Sequence, residues 1–342
     1  MKTLAALLLT VLIAGQAQAQ QRILYFAGYG GSTEGTLRQR ILPSFERAHG
    51  VEIRYVAGAS AANLARLQAQ RGNPEIDVAL LDDGPMEQAA ALGLCTDVEP
   101  SIERDSLYPL ARLAGGRAVG LGLVSTGIAY NTQVFAREGW PAPTSWNDLG
   151  DARFRRRLLV PSITNTYGLH TLLMLARAAG GDEGRIEPGF TAMTRTVAPN
   201  VLSFETSSAK ISELFQTGAV SIGVWGNGRV HALAGAGFPI AFVVPAEGAV
   251  ALQTALCPVS GSDVPDLAQA LIRHLLSPAS QAILAAEAGW GPTNRATTLT
   301  PPIAGQVIYG PEAVQRLIAP DWAAINAARA EWTRRWTRTV ER

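Results

Sequence analysis

The chain has 342 residues, a formal net charge of +1, 47% hydrophobic residues and 17% charged residues. That length accommodates two domains of ordinary size, and that composition supplies ample core. The balanced charge excludes an electrostatic case for a nucleic-acid partner, because phosphate binding needs a basic excess or a clustered stripe.

Residues 1–19 read as a secretory signal. Lys2 supplies a positive start, Leu4–Ala14 an apolar run, and Ala17-Gln18-Ala19 a small-x-small cleavage pattern. The run is too short for a mature spanning helix, which needs about 20 apolar residues. No Cys follows it to carry a lipid anchor. A soluble exported protein beginning near Gln20 is expected. Export places Cys95 and Cys257 in an oxidising compartment, where they either bridge distant parts of the chain or remain two buried thiols.

Arg22–Ala27 is a buried-type strand, and the glycine loop Gly28–Gly35 follows it. A helix from about Thr36 to His49 is closed by Gly50. Val51–Val56 is a second strand, Ser60 caps a helix, and Ile76–Leu81 is a third strand. Strands alternating with helices signify a parallel sheet covered by helices, whose ligands lie at the carboxyl ends of the strands. Three segments are singled out: the loop carrying Tyr29, Gly30, Ser32 and Thr33; the turn at Ser60; and the acid pair Asp82-Asp83. Of that pair, Asp83 is the candidate acceptor for a solute amine or hydroxyl; otherwise it caps the helix expected from Met86.

Val119–Tyr130 is apolar and longer than a typical strand of about 5–6 residues, which fits a strand that leaves one lobe and enters another. Tyr130 ends it. The alternation then restarts. Its strands lead into the polar loop carrying Asn165, Thr166 and Tyr167, into Trp225-Gly226-Asn227, and into Pro245-Ala246-Glu247. Val250–Val259 returns to the first lobe, a further crossing is expected near Thr300, and the tail from Pro311 is helical. The division expected is lobe 1 over 20–125, lobe 2 over 126–249, a return over 250–300, and a C-terminal helical segment over 301–342. Tyr29, Ser32, Thr33, Ser60, Asp83, Tyr130, Asn165, Thr166, Tyr167, Trp225, Asn227 and Glu247, with Gly30, are the candidate ligand-binding residues, because all fall at or near strand ends.

The glycine loop lacks the Gly-Lys-Ser/Thr ending of a phosphate loop and the glycine spacing of a dinucleotide fingerprint. What remains is bare backbone and small hydroxyls suited to a carboxylate or phosphate group, or simply a tight turn. The four histidines are scattered, and no His-Glu-x-x-His, Cys-x-x-Cys or Gly-x-Ser-x-Gly occurs. No catalytic set, cofactor or metal is expected.

The segments Ile76–Asp83, Gly127–Asn131, Thr144–Leu149, Gly218–Gly228 and Val244–Gly248, in that order and spacing, resemble the periplasmic substrate-binding proteins of ABC importers. The closer likeness is to the type II group of polyamine, ferric iron, thiamine and phosphonate binders. The resemblance implies an α/β fold of two lobes with central mixed sheets joined by a multi-strand hinge. It implies a periplasmic monomer that closes on a small polar solute and delivers it to permease subunits with a separate ATPase. No Tyr-Tyr pair of the ferric binders is present, and Ala249–Thr254 lacks the Trp and Asp of the polyamine binders. A polyamine-, amine- or phosphonate-like solute is therefore expected. The alternatives are a ferric iron binder of the same group and a secreted enzyme on the same scaffold.

Overall fold

The computed structural model describes residues 22–99 and 106–341. The expected signal segment and its cleavage site lie outside the described residues.

The first half opens with β1 (Arg22–Gly28); after a three-residue loop, α1 (Ser32–Thr36), a π-turn (Leu37–Ile41) and α2 (Leu42–His49) run on without a break. This helical stretch starts at Ser32, one turn earlier than the sequence suggests. β2 (Val51–Ala57), α3 (Ser60–Ala69), β3 (Val78–Asp82) and α4 (Asp83–Ala91) come next. β4 (Arg112–Leu113) then leads to β5 (Ala118–Asn131), a single strand of 14 residues. The second half comprises α5 (Thr132–Glu138), β6 (Leu158–Pro161), α6 (Thr166–Ala178), α7 (Glu187–Ala192), β7 (Val201–Glu205), α8 (Ser208–Gln216), β8 (Ile222–Gly226), α9 (Asn227–Gly235) and β9 (Ile240–Val243). β10 (Val250–Pro258), α10 (Pro265–Leu275), α11 (Pro278–Ala288) and β11 (Gly291–Pro292) rejoin the first half. The tail forms α12 (Pro301–Ala304), α13 (Pro311–Gln315) and α14 (Trp322–Thr339), with Pro320 in the break before the last.

The sheet order is β2-β1-β3-β10-β5-β8-β6-β7. β1 is parallel to β2 and β3, and β6 is parallel to β7 and β8. Every partner of β5 is antiparallel to it. Along one edge β5 meets β4, β11 and β8; along the other it meets β10 and β9. The change of partner falls at Thr126, which pairs with Val250 on one side and Gly226 on the other. The strand thus belongs to both halves, as its length suggested. Next to it, a Cβ on Gly127 would lie 2.4 Å from the Val243 carbonyl and 2.6 Å from the Phe242 ring. Glycine is required there by the close approach of β9.

Cys95 and Cys257 are disulfide-bonded, so the bridge and not the pair of thiols is realised. It ties the segment after α4 to β10. The expected crossing near Thr300 is not a strand. Instead Ile318 bridges to Val250, and α14 reaches both halves. Asn326 accepts a hydrogen bond from Gln88 of α4, and Arg335 pairs with Glu187 of α7.

Candidate ligand cleft

The carboxyl ends of β1 and β3 face those of β6 and β8, and a cavity of about 30 Å³ lies between them. That is room for about two water molecules. Tyr29, Ser32, Thr33, Asp82, Ala288 and Trp290 line it from the first half. Tyr167, Gly228 and Arg229 line it from the second, and Val124, Leu252 and Thr254 of the shared strands form its floor. A Cβ on Gly228 would lie 2.7 Å from the Ala288 carbonyl, so glycine lets α9 close against the end of α11.

Asp82 is the last residue of β3 and projects into this space. One carboxylate oxygen accepts from the Tyr29 hydroxyl and the other from the Thr166 hydroxyl, each at 2.5 Å. Its backbone N–H donates to Ser60 Oγ at 2.9 Å. The carboxylate thereby joins the first half to the second. Burial, then the charge of Asp82, pushes the Tyr29 phenol well above its usual range and keeps it a donor. Among the described residues, no cation forms an ion pair with Asp82.

Arg229 enters two residues into α9. Its guanidinium lies close enough to the Tyr167 hydroxyl to act on it electrostatically, and it has no carboxylate partner among the described residues. Burial pushes Tyr167 up to about 12, against the opposing effect of Arg229. Trp290 meets the Tyr29 ring edge-on at 6.1 Å between centroids.

A second polar layer lies behind Asp82. His170, fully buried in α6, meets the Thr126 hydroxyl through Nδ1 at 2.7 Å, while its Nε2 has no partner. Burial, then the nearby Arg329, lowers its pKa to about 3, so the ring is neutral. Arg329 of α14 buries Nη1 without a partner, and burial lowers its pKa while Asp82 opposes that shift. Trp322 lies over Gly84, at 2.4 Å from where a Cβ would stand, and 5.9 Å from the His170 ring.

Of the sequence candidates, Tyr29, Ser32, Thr33 and Tyr167 line the cavity. Gly30 lies in the chain between Tyr29 and Ser32. Thr166 bridges to Asp82, and Ser60 orients Asp82 from below. The other candidates lie elsewhere. Asp83 starts α4 and turns inward, 1% exposed, its carboxyl accepting from the Gly84 N–H at 3.1 Å with Trp322 acting on it from nearby. Burial, then Asp82, pushes it up to about 8. Tyr130 packs on Phe135 at 4.7 Å. Asn165 caps α6 by accepting from the Tyr167 N–H. Trp225 is 2% exposed and stacked on Phe215 at 5.9 Å, a core side chain. Asn227 accepts from the Ser125 N–H and donates to the Gly289 carbonyl, pinning the turn to β5 and to the end of α11. Glu247 accepts from the Ser145 hydroxyl and the Trp146 N–H. Arg229, Thr254 and Trp290 were missed as site residues. Among the described residues, no cluster of three His, Cys, Asp or Glu side chains could hold a metal ion.

The mixed α/β fold with a cavity between two halves is that of the periplasmic binding proteins. The chain superposes on AfuA of Actinobacillus pleuropneumoniae, solved with fructose-6-phosphate, at a TM-score of 0.78 and 19% identity, covering 94% of this chain and 98% of that one. An uncharacterized protein of Haemophilus influenzae is 24% identical over 69% of this chain and 67% of its own length. A putative 2-aminoethylphosphonate-binding periplasmic protein of Salmonella typhimurium is 25% identical over 52% of this chain; the match spans 49% of that protein. Residues 41–309 match the bacterial extracellular solute-binding protein family, and the chain belongs to that family.

Proposed function

We propose that the chain captures a small polar solute in this cleft and presents it to the permease of an ABC importer, whose ATPase is a separate subunit. One observation carries the reading: a polar cavity walled by both halves lies over the two strands, β5 and β10, that join them. The halves then act as lobes, dividing near Thr126 and rejoining at Val250, and closing by hinge motion. Closure is driven to the extent that the solute binds the closed form better than the open one. The family supports this reading, as do the relatives named as putative 2-aminoethylphosphonate-binding periplasmic proteins; the same proposal includes periplasmic placement with the leader removed near Ala19.

The test is a thermal-shift screen of aminoalkyl phosphonates, amines, phosphonates, sugar phosphates and carboxylates, with hits checked by calorimetry. A solute that raises the melting temperature and is recovered unaltered is the expected result. A hit recovered as a different compound would establish an enzyme and refute the reading.

A further inference from the structure

The cleft is lined by two charged side chains, and among the described residues neither forms an ion pair. The Asp82 carboxylate accepts from the hydroxyls of Tyr29 and Thr166, with Arg329 acting on it from behind the cleft without pairing to it, and the Arg229 guanidinium lies near the Tyr167 hydroxyl. Both line the same cavity, one from each half, yet no ion pair joins them. A charge partly withdrawn from water is held at a cost unless an opposite charge with good hydrogen bonds completes it. Neutral hydroxyls fill lone pairs of the carboxylate without bringing a cation into contact with it, and charge-assisted bonds are roughly twice as strong as neutral ones.

We infer that the solute is a small zwitterion, with its cationic amine on Asp82 and its anionic head on Arg229 beside the hydroxyls of Tyr167, Ser32 and Thr33. The inference rests on the solute-binding function proposed above and narrows it. A diamine would place its second cation against Arg229, so the polyamine class is disfavoured. A dianion would place its second charge against Asp82. The apolar floor of Val124 and Leu252 suits the short carbon chain between the two groups. The amine displaces two hydroxyls that already use Asp82, so a ligand offering only another neutral hydroxyl gains little.

The experiment uses four probes of similar length: 2-aminoethylphosphonate, β-alanine, ethylphosphonate and 1,3-diaminopropane. At least one of the two zwitterions is expected to bind at least tenfold more tightly than both ethylphosphonate and the diamine; each tenfold corresponds to about 1.4 kcal/mol. Which zwitterion binds more tightly identifies the anionic head. Asp82→Asn is expected to shrink the lead of the zwitterion over ethylphosphonate to near parity. Arg229→Gln is expected to shrink its lead over the diamine, with Arg229→Lys retaining part of it. Circular dichroism melting checks that each variant folds. The inference is overturned if the diamine binds as tightly as the zwitterions, or if Asp82→Asn weakens amine-bearing and amine-free probes equally. Tight binding of a neutral solute instead, found in the wider screen, overturns the zwitterion and leaves the solute-binding reading standing.

Discussion

The Asp82–Thr166 hydrogen bond spans the cleft around a cavity of only about 30 Å³, too small for a solute. The two halves are drawn together in this conformation, and the bond is part of what holds them. Thr166→Val keeps the shape and β-branching of a side chain that is 6% exposed while removing the donor. A hydrogen bond to a charged group contributes about 1.5–3 kcal/mol. In the closed form, the oxygen on Asp82 loses its partner in a side chain that is only partly exposed. On opening, water reaches it. The substitution therefore acts on closure more than on folding, and should reduce the closed, unliganded population about ten- to hundredfold. Labels at Ala61 and Ala209, both exposed and on opposite halves, report the separation by electron–electron double resonance or energy transfer. Both native cysteines are buried in the disulfide and do not compete for cysteine-directed labels. The expected outcome is a longer mean distance and a smaller short-distance fraction in Thr166→Val without solute. Identical distance distributions in the two proteins would refute the latch.

Trp225→Ala should cost about 3–5 kcal/mol of stability, as large-to-small core changes do, because its ring is buried against Phe215. Denaturant melts check this; in the folded fraction, affinity for a bound probe should stay within about twofold, and a selective loss of affinity would put the indole in the cleft. Asp83 carries a carboxyl whose folded pKa is raised to about 8. The folded state therefore holds a proton that the unfolded chain releases near pH 4, and stability falls as pH rises from about 4 to 8 and levels beyond. Asp83→Asn should flatten that fall in melting temperature; an unchanged slope would show that other groups produce it.

The architecture was legible because it is written in periodicity. Buried strands such as Val78–Asp82 alternate with helices that begin and end at recognisable punctuation, and β5 exceeds ordinary strand length in the sequence itself. The site was only half legible because strand ends identify positions, and side-chain direction depends on partners far away. Asp82 and Asp83 are neighbours, and adjacent residues at the end of a strand point to opposite sides. Asp82 is opposite Thr254 of β10, which also lines the cavity, while Asp83 turns toward Trp322. Neither partner is near in sequence. Trp225 fails for the same reason: its face of β8 meets Phe215, not the cleft. Arg229 looks like any helical arginine until the fold denies it a carboxylate. Trp290 sits among Gly289, Gly291 and Pro292 just past α11, a place that reads as a chain break, and only its edge-on contact with Tyr29 shows it at the cavity.

The strand shared by both halves also dictates the order in which the molecule can be made. β3 is flanked by β1 on one side and by β10 on the other, and β10 comes only after the whole second half has been synthesised. Until Val250–Pro258 arrives, the first half is an incomplete sheet with β3 and the amino-terminal part of β5 unpaired along those edges. Such long-range pairing is slow to form. A chain built this way stays short of its native state until Val250–Pro258 has been made, which would suit the export proposed above. Expressed alone, the segment before Thr126 would present an open sheet edge to its neighbours and aggregate.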